Sequence, residues 1–103
     1  MKTIKIVTNL PEPIQEVKVK KLFSHMGINF AYIIRPYIYN VGSEEVFEYP
    51  SIVEVSTGMK ADGFAPFGVK TMKSRIENFI GWLDKNLTEE KFREEIYKYE
   101  KIN

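Results

Sequence analysis

Residues 12–27 read EPIQEVKVKKLFSHMG, and their reading decides the fold because two periodicities coexist in them. Val17 and Val19 alternate with charged neighbours as in a strand. Val19, Leu22, Phe23 and Met26 recur at i, i+3, i+4 and i+7, as on one face of a helix. The flanks favour the helix: Pro11 and Pro13 suit a first turn, Glu12 and Glu16 suit the positive end of a helix dipole, and Gly27 stands where a C-terminal cap belongs. The expectation is therefore a helix over residues 12–26, with a strand as the competing reading.

Upstream, residues 2–9 (KTIKIVTN) alternate polar and branched side chains and read as a strand, ended by Leu10-Pro11-Glu12-Pro13. Downstream, residues 28–40 (INFAYIIRPYIYN) are rich in β-branched and aromatic residues and read as a long strand, broken or bulged at Pro36. A turn at VGSEE leads to a second hairpin strand over about 46–57. There Phe47, Tyr49, Val53 and Val55 share one face and Glu48 and Glu54 the other, and Pro50 marks an edge or bulge.

From Thr71 the helical period is clear. Met72, Ile76, Phe79, Ile80, Leu83 and Leu87 fall in one arc and predict an amphipathic helix over 72–86. Thr88, followed by Glu89 and Glu90, caps a second helix carrying Phe92, Ile96 and Tyr99, with i,i+4 pairs expected at Glu89/Arg93 and Glu94/Lys98. The order is β-α-β-β-(β)-α-α: a single α+β domain over residues 1–103, with a small antiparallel sheet and helices packed on one face.

Composition narrows the function classes. The 103 residues are 44% hydrophobic and 28% charged, inside the globular range, and there is no cysteine, which removes disulfide and thiolate chemistry. The start of the chain, with Lys5 and two prolines interrupting a short apolar stretch, reads as neither signal peptide nor membrane span, so the expected compartment is the cytoplasm. Heavy use of Lys and Ile suggests a bacterial or phage source. Net charge is +1, with six cationic against two acidic side chains in residues 1–40, a local +4 that leaves −3 for the other 63. A nucleic-acid-binding domain usually carries a stronger basic excess.

One stretch resembles a phosphate loop. Gly63-Phe64-Ala65-Pro66-Phe67-Gly68-Val69-Lys70-Thr71 is one residue longer than G-x-x-x-x-G-K-[ST]. The extra Val69 turns Lys70 and Thr71 by about 100° on a helix start, and Pro66 removes a donor the loop would need. The stretch therefore reads as a connector, with Gly58 and Gly63 bracketing a turn, Phe64 and Phe67 packing inward, and Thr71 an ordinary helix cap.

His25 is the only histidine and forms no ligand cluster or nucleophile pair in the sequence; it reads as a capping residue. No two carboxylates are singled out for acid–base work, so no catalytic residue, metal or cofactor is assigned and the protein is read as non-enzymatic. Two constellations suit binding. Arg75 and Trp82 lie on one flank of the 72–86 helix, outside its apolar arc, and both types are enriched at the energetic centres of protein interfaces. Arg35, Tyr37 and Tyr39, with Tyr32 and Tyr49 nearby, fit either a half-buried protein contact or a surface that stacks single-stranded bases with help from Lys18, Lys20 and Lys21. The expected function is a small accessory or regulatory protein that binds another protein, or itself through a sheet edge. The alternative is a single-stranded nucleic-acid-binding module.

Overall fold

A computed structural model describes residues 2–38, 45–62 and 71–103. Tyr39, most of the VGSEE turn and the connector over 63–70 lie outside the described residues. The elements are β1 (Thr3–Val7), β2 (Ile14–His25), β3 (Ile28–Tyr37), β4 (Phe47–Glu54), α1 (Met72–Asn86) and α2 (Glu89–Tyr97). The strands form one antiparallel sheet in the order β1-β2-β3-β4, so the class is α+β with both helices following the sheet.

The opening stretch is a strand, which corrects the expected helix over 12–26. Its first half, Ile14–Lys18, pairs with β1, and Val19–His25 pairs with β3, with a break in register between Val19 and Lys21. That irregularity explains the misleading period. Val17 and Val19 point to one face; the extra residue at Lys20 shifts the alternation, and Phe23 points to the other. A bulge inside a strand therefore placed apolar residues four apart. Leu22, counted into the helical stripe, is exposed.

Gly27 is likewise not a helix cap. Met26 and Gly27 have φ of 54° and 68° and close the two-residue β2–β3 hairpin, a turn that needs positive φ at both positions. Met26 occupies a region that costs a non-glycine residue roughly 1–2 kcal/mol, and its side chain packs against the core. The helices hold this turn from both sides. His25 Nε2 lies 2.6 Å from Asp84 Oδ1 of α1, and Arg93 Nη2 of α2 approaches the carbonyls of Met26 and Gly27 at 3.5 and 3.4 Å.

Two cores lie on opposite faces of the sheet. On one, Ile28, Phe30, Tyr32 and Ile52 meet Ile76, Phe79 and Leu83 of α1 and Phe92 of α2. Phe30 is 0% exposed and touches Phe79 and Phe92 edge-on, at centroid distances of 5.1 and 5.6 Å. On the other, Ala31, Ile33 and Val53 are covered by Ile4 and Ile6 of β1 with Val19 of β2. The bulge lets β2 turn β1 back over the sheet, so the two-stranded ribbon does for one face what the helices do for the other.

Thr71 and Thr88 are the N-caps of α1 and α2, as expected; their hydroxyls accept from Ser74 N and Lys91 N. Glu89 pairs with Arg93 at 3.0 Å, but Lys98 pairs with Glu95, one turn position nearer than the expected Glu94. After β4 the chain reverses and runs back along its outer edge, with Glu54 N donating to Met59 O and Ala61 N to Ile52 O. The outward-facing positions of β4 are thus the even ones, and Pro50, which has no N–H to leave unpaired, is one of them.

Candidate partner-binding surface

Strand alternation sends odd-numbered residues of β3 and β4 to the face that β1 covers, and β1 reaches only part of it. Ala31, Ile33 and Val53 lie beneath Ile4 and Ile6, Arg35 and Ser51 are buried at the end of β1 beside Val7, and Tyr37 with Tyr49 and Phe47 extend beyond. The hairpin's outer end carries an aromatic cluster as a consequence. Tyr37 lies 5.6 Å from Phe47 and 4.9 Å edge-on from Tyr49, and Lys60 Nζ sits 5.0 Å from the Tyr49 ring centre. Phe47 is 43% exposed and the preceding Val46 is exposed as well.

Arg35 is not on that surface. It is 6% exposed and reaches under β1, where Nη1 donates to Val7 O at 2.6 Å and Nε to Ser51 Oγ at 3.4 Å; the Ser51 hydroxyl donates on to Asp62 Oδ1 at 3.0 Å. Burial pulls the guanidinium below its ordinary pKa, with Tyr49 and Asp62 offsetting part of the effect. Burial pushes the Asp62 carboxyl up, against the Ser51 hydrogen bond and nearby Lys60. Nη2 of Arg35 is buried with no hydrogen-bond partner among the described residues. The expectation of Arg35 as a surface contact is therefore corrected: it is an internal brace between β1 and β4. Alternation across an antiparallel sheet told which face Arg35 occupies, but not that a ribbon would fold over it.

The other expected contacts are dispersed. Tyr37 is half-buried inside the aromatic cluster, and Tyr39 lies outside the described residues. Tyr32 faces the helices and is buried in the opposite core. Trp82 is 50% exposed on the outer flank of α1; Arg75 is half-buried, with Nε buried and unpartnered among the described residues. Because α1 covers the helix face of the sheet and the aromatic cluster lies on the ribbon face, the structure does not bring Trp82 and Tyr37 into one surface. Phe47 was legible as an alternating strand residue sharing a face with Tyr49 and Val53; its exposure depends on where β1 stops.

Glu54 is a buried carboxylate at the far end of β4. Its Oε1 accepts from Ser56 N and Oγ, and Oε2 from Thr57 N and Oγ1, at 2.6–2.9 Å. Burial opposes its ionisation, but these four bonds outweigh burial and hold the carboxyl below its ordinary value. They fill the acceptor positions of a carboxylate, so Glu54 secures the 55–58 turn and has none left for proton transfer. Among the described residues no three metal-ligating side chains cluster, and no helix is long and apolar enough to cross a membrane. No family model matches the chain, and no match is found among the curated proteins or the solved structures.

Proposed function

We propose that the protein acts as a small regulatory or accessory factor by binding another protein, with the aromatic end of the β3–β4 hairpin as the primary contact and Trp82 as a second, separate one. The observation that carries this reading is Phe47, an exposed ring already held against Tyr37 in a cluster with Tyr49. Rings fixed by one another lose little freedom when a partner covers them, and large amphipathic rings supply most of the contact energy in many interfaces.

The nucleic-acid reading is weaker because Arg35, the cation it places among the stacking rings, is turned inward to Val7 and Ser51. The exposed Lys18, Lys20 and Lys21 on β2 still allow weak electrostatic attraction. A mixed-oligonucleotide titration at low salt separates the two; a saturable, salt-sensitive shift that depends on Phe47 would favour nucleic acid. The protein-binding reading is tested by affinity capture from the source organism with wild type, Phe47→Ala and Trp82→Ala side by side. One protein retained by the wild type and lost from Phe47→Ala supports it. Recovery of the same proteins by all three forms, or of none, counts against it.

A further inference from the structure

The outer edge of β1 does not meet solvent at Lys5. Asn103 lies alongside it: its Oδ1 accepts from Lys5 N at 2.8 Å, and its Nδ2 donates to Lys5 O at 2.7 Å and to Val55 O at 2.6 Å. Ile102 N and Asn103 N both donate to Ser56 O, at 2.9 and 3.2 Å. Two residues therefore fill a slot with a strand edge on one side and two carbonyls of the turn after β4, Val55 O and Ser56 O, on the other. The slot closes just beyond, where Val7 N donates to Gly58 O at 2.9 Å.

We propose that this slot, between Lys5 and Val55–Ser56, is a strand-addition site, and that an extended segment of a partner protein bearing an acidic side chain enters it by displacing Ile102 and Asn103. The inference rests on the protein-binding reading above and supplies the kind of partner. Three observations define the occupant. On the β1 side the groups facing the slot are the N–H and C=O of Lys5, the pair an added strand engages, and the Val55 and Ser56 carbonyls opposite accept further donors. The side chain of Asn103 imitates one such residue, donor and acceptor together. The slot opens onto a cleft of about 300 Å³ shared by Val55, Ser56 and Asn103 with Asn29, Arg93 and Lys101.

The cleft carries two cationic side chains, Arg93 and Lys101. Arg93 commits Nε and Nη2 to Glu89 and to the hairpin carbonyls, leaving Nη1 without an acceptor among the described residues. Lys101 Nζ lies 5.8 Å from the Tyr97 ring centre and makes no ion pair among the described residues. The lining acid, Glu54, is turned onto Ser56 and Thr57. An acidic side chain on an entering strand that reaches this cleft would meet these donors.

The test uses a blocked peptide of alternating threonine and glutamate, with a glutamine version as control, titrated into the full chain and followed by backbone amide shifts. Asn103→Ala removes three of the five strap bonds, so it should bind the glutamate peptide about ten-fold more tightly than wild type, with saturating shifts at Lys5, Val55 and Ser56. Asn103→Asp keeps the acceptor for Lys5 N but sets a carboxylate oxygen against the Lys5 and Val55 carbonyls, so it too should bind the peptide more tightly than wild type, and it serves if Asn103→Ala fails to fold. The glutamine peptide should bind several-fold more weakly. Equal affinity in wild type and variants, shifts confined to other regions, or no binding by any form overturns the proposal. Because the peptide is supplied directly, its failure alongside Phe47-dependent capture removes strand addition alone and leaves the parent reading standing.

Discussion

Arg35 Nη1 donates to the carbonyl of Val7 at 2.6 Å, joining the C-terminal part of β3 to the end of β1 across the interior. Val7 is thereby held twice, by Arg35 at its carbonyl and by Gly58 O at its N–H. Together with Asn103 at Lys5, these contacts turn an edge strand into a closed seam. Edge strands left open invite pairing with other chains, and here the closure is made by the Arg35 and Asn103 side chains and the Gly58 carbonyl rather than by another strand.

Arg35→Ala should destabilise the fold by about 2–4 kcal/mol, because it opens a cavity and leaves the Val7 carbonyl and Ser51 hydroxyl without their buried donor. Urea unfolding followed by tryptophan fluorescence measures this directly. A loss below about 0.5 kcal/mol, the range of ordinary surface substitutions, would return Arg35 to the surface role expected from the sequence.

Glu54 makes stability depend on acid. Its folded pKa lies below the ordinary 4.5, so its contribution is fully present above the unfolded value and is lost as pH falls through the folded one. Asp62 acts in the opposite sense: its folded pKa is raised above 3.8, so its contribution is fully present below that value and is lost as pH rises through the folded pKa. Glu54→Gln should lower stability at pH 7 by about 1–3 kcal/mol and flatten the acid limb of a stability–pH profile. Asp62→Asn should leave that acid limb in place.

Two glycines should respond with opposite signs to alanine. At Gly58, φ is +67° and a Cβ would stand 2.6 Å from Lys5 O and 2.9 Å from Ile6 Cα, both backbone atoms. Gly58→Ala should cost upwards of about 2 kcal/mol. Gly81 lies inside α1 with nothing within 4 Å of an added Cβ, and Gly81→Ala should raise stability by about 0.5–1 kcal/mol. Thermal unfolding of the two variants beside wild type checks both; a gain at Gly58 would contradict the close approach of β1.

Phe47→Ala and Trp82→Ala should each change stability by less than about 1 kcal/mol, since both side chains are about half in water. Their effect belongs in binding, where an aromatic anchor commonly contributes about 2 kcal/mol or more. Light scattering at high concentration adds the oligomeric state, and a monomer would confine the binding role to other proteins.

The helices were legible because each carries one apolar stripe with a threonine cap, and local chemistry settles both boundaries: Thr71 and Thr88 cap as expected, and α1 spans the expected residues. The β3–β4 hairpin was legible from alternation in the same way. Residues 14–25 were not, because a bulge at Lys20 moves the alternation by one and imitates a helical repeat. Gly27 gave the right signal, positive φ, for the wrong element.

What the sequence by itself determined is the α+β class, the antiparallel hairpin, the two capped helices and the near-neutral charge that weighs against nucleic acid, since these depend on composition and on neighbours within a few positions. Only the tertiary structure decided that β1 folds back over the sheet. From that return follow the burial of Arg35, the exposure of Phe47 and the slot filled by Asn103. Lys5 and Asn103 are separated by 98 positions, and a contact of that range leaves no periodicity in the sequence, because its energy is gained only when both ends of the chain have already been brought to the same seam.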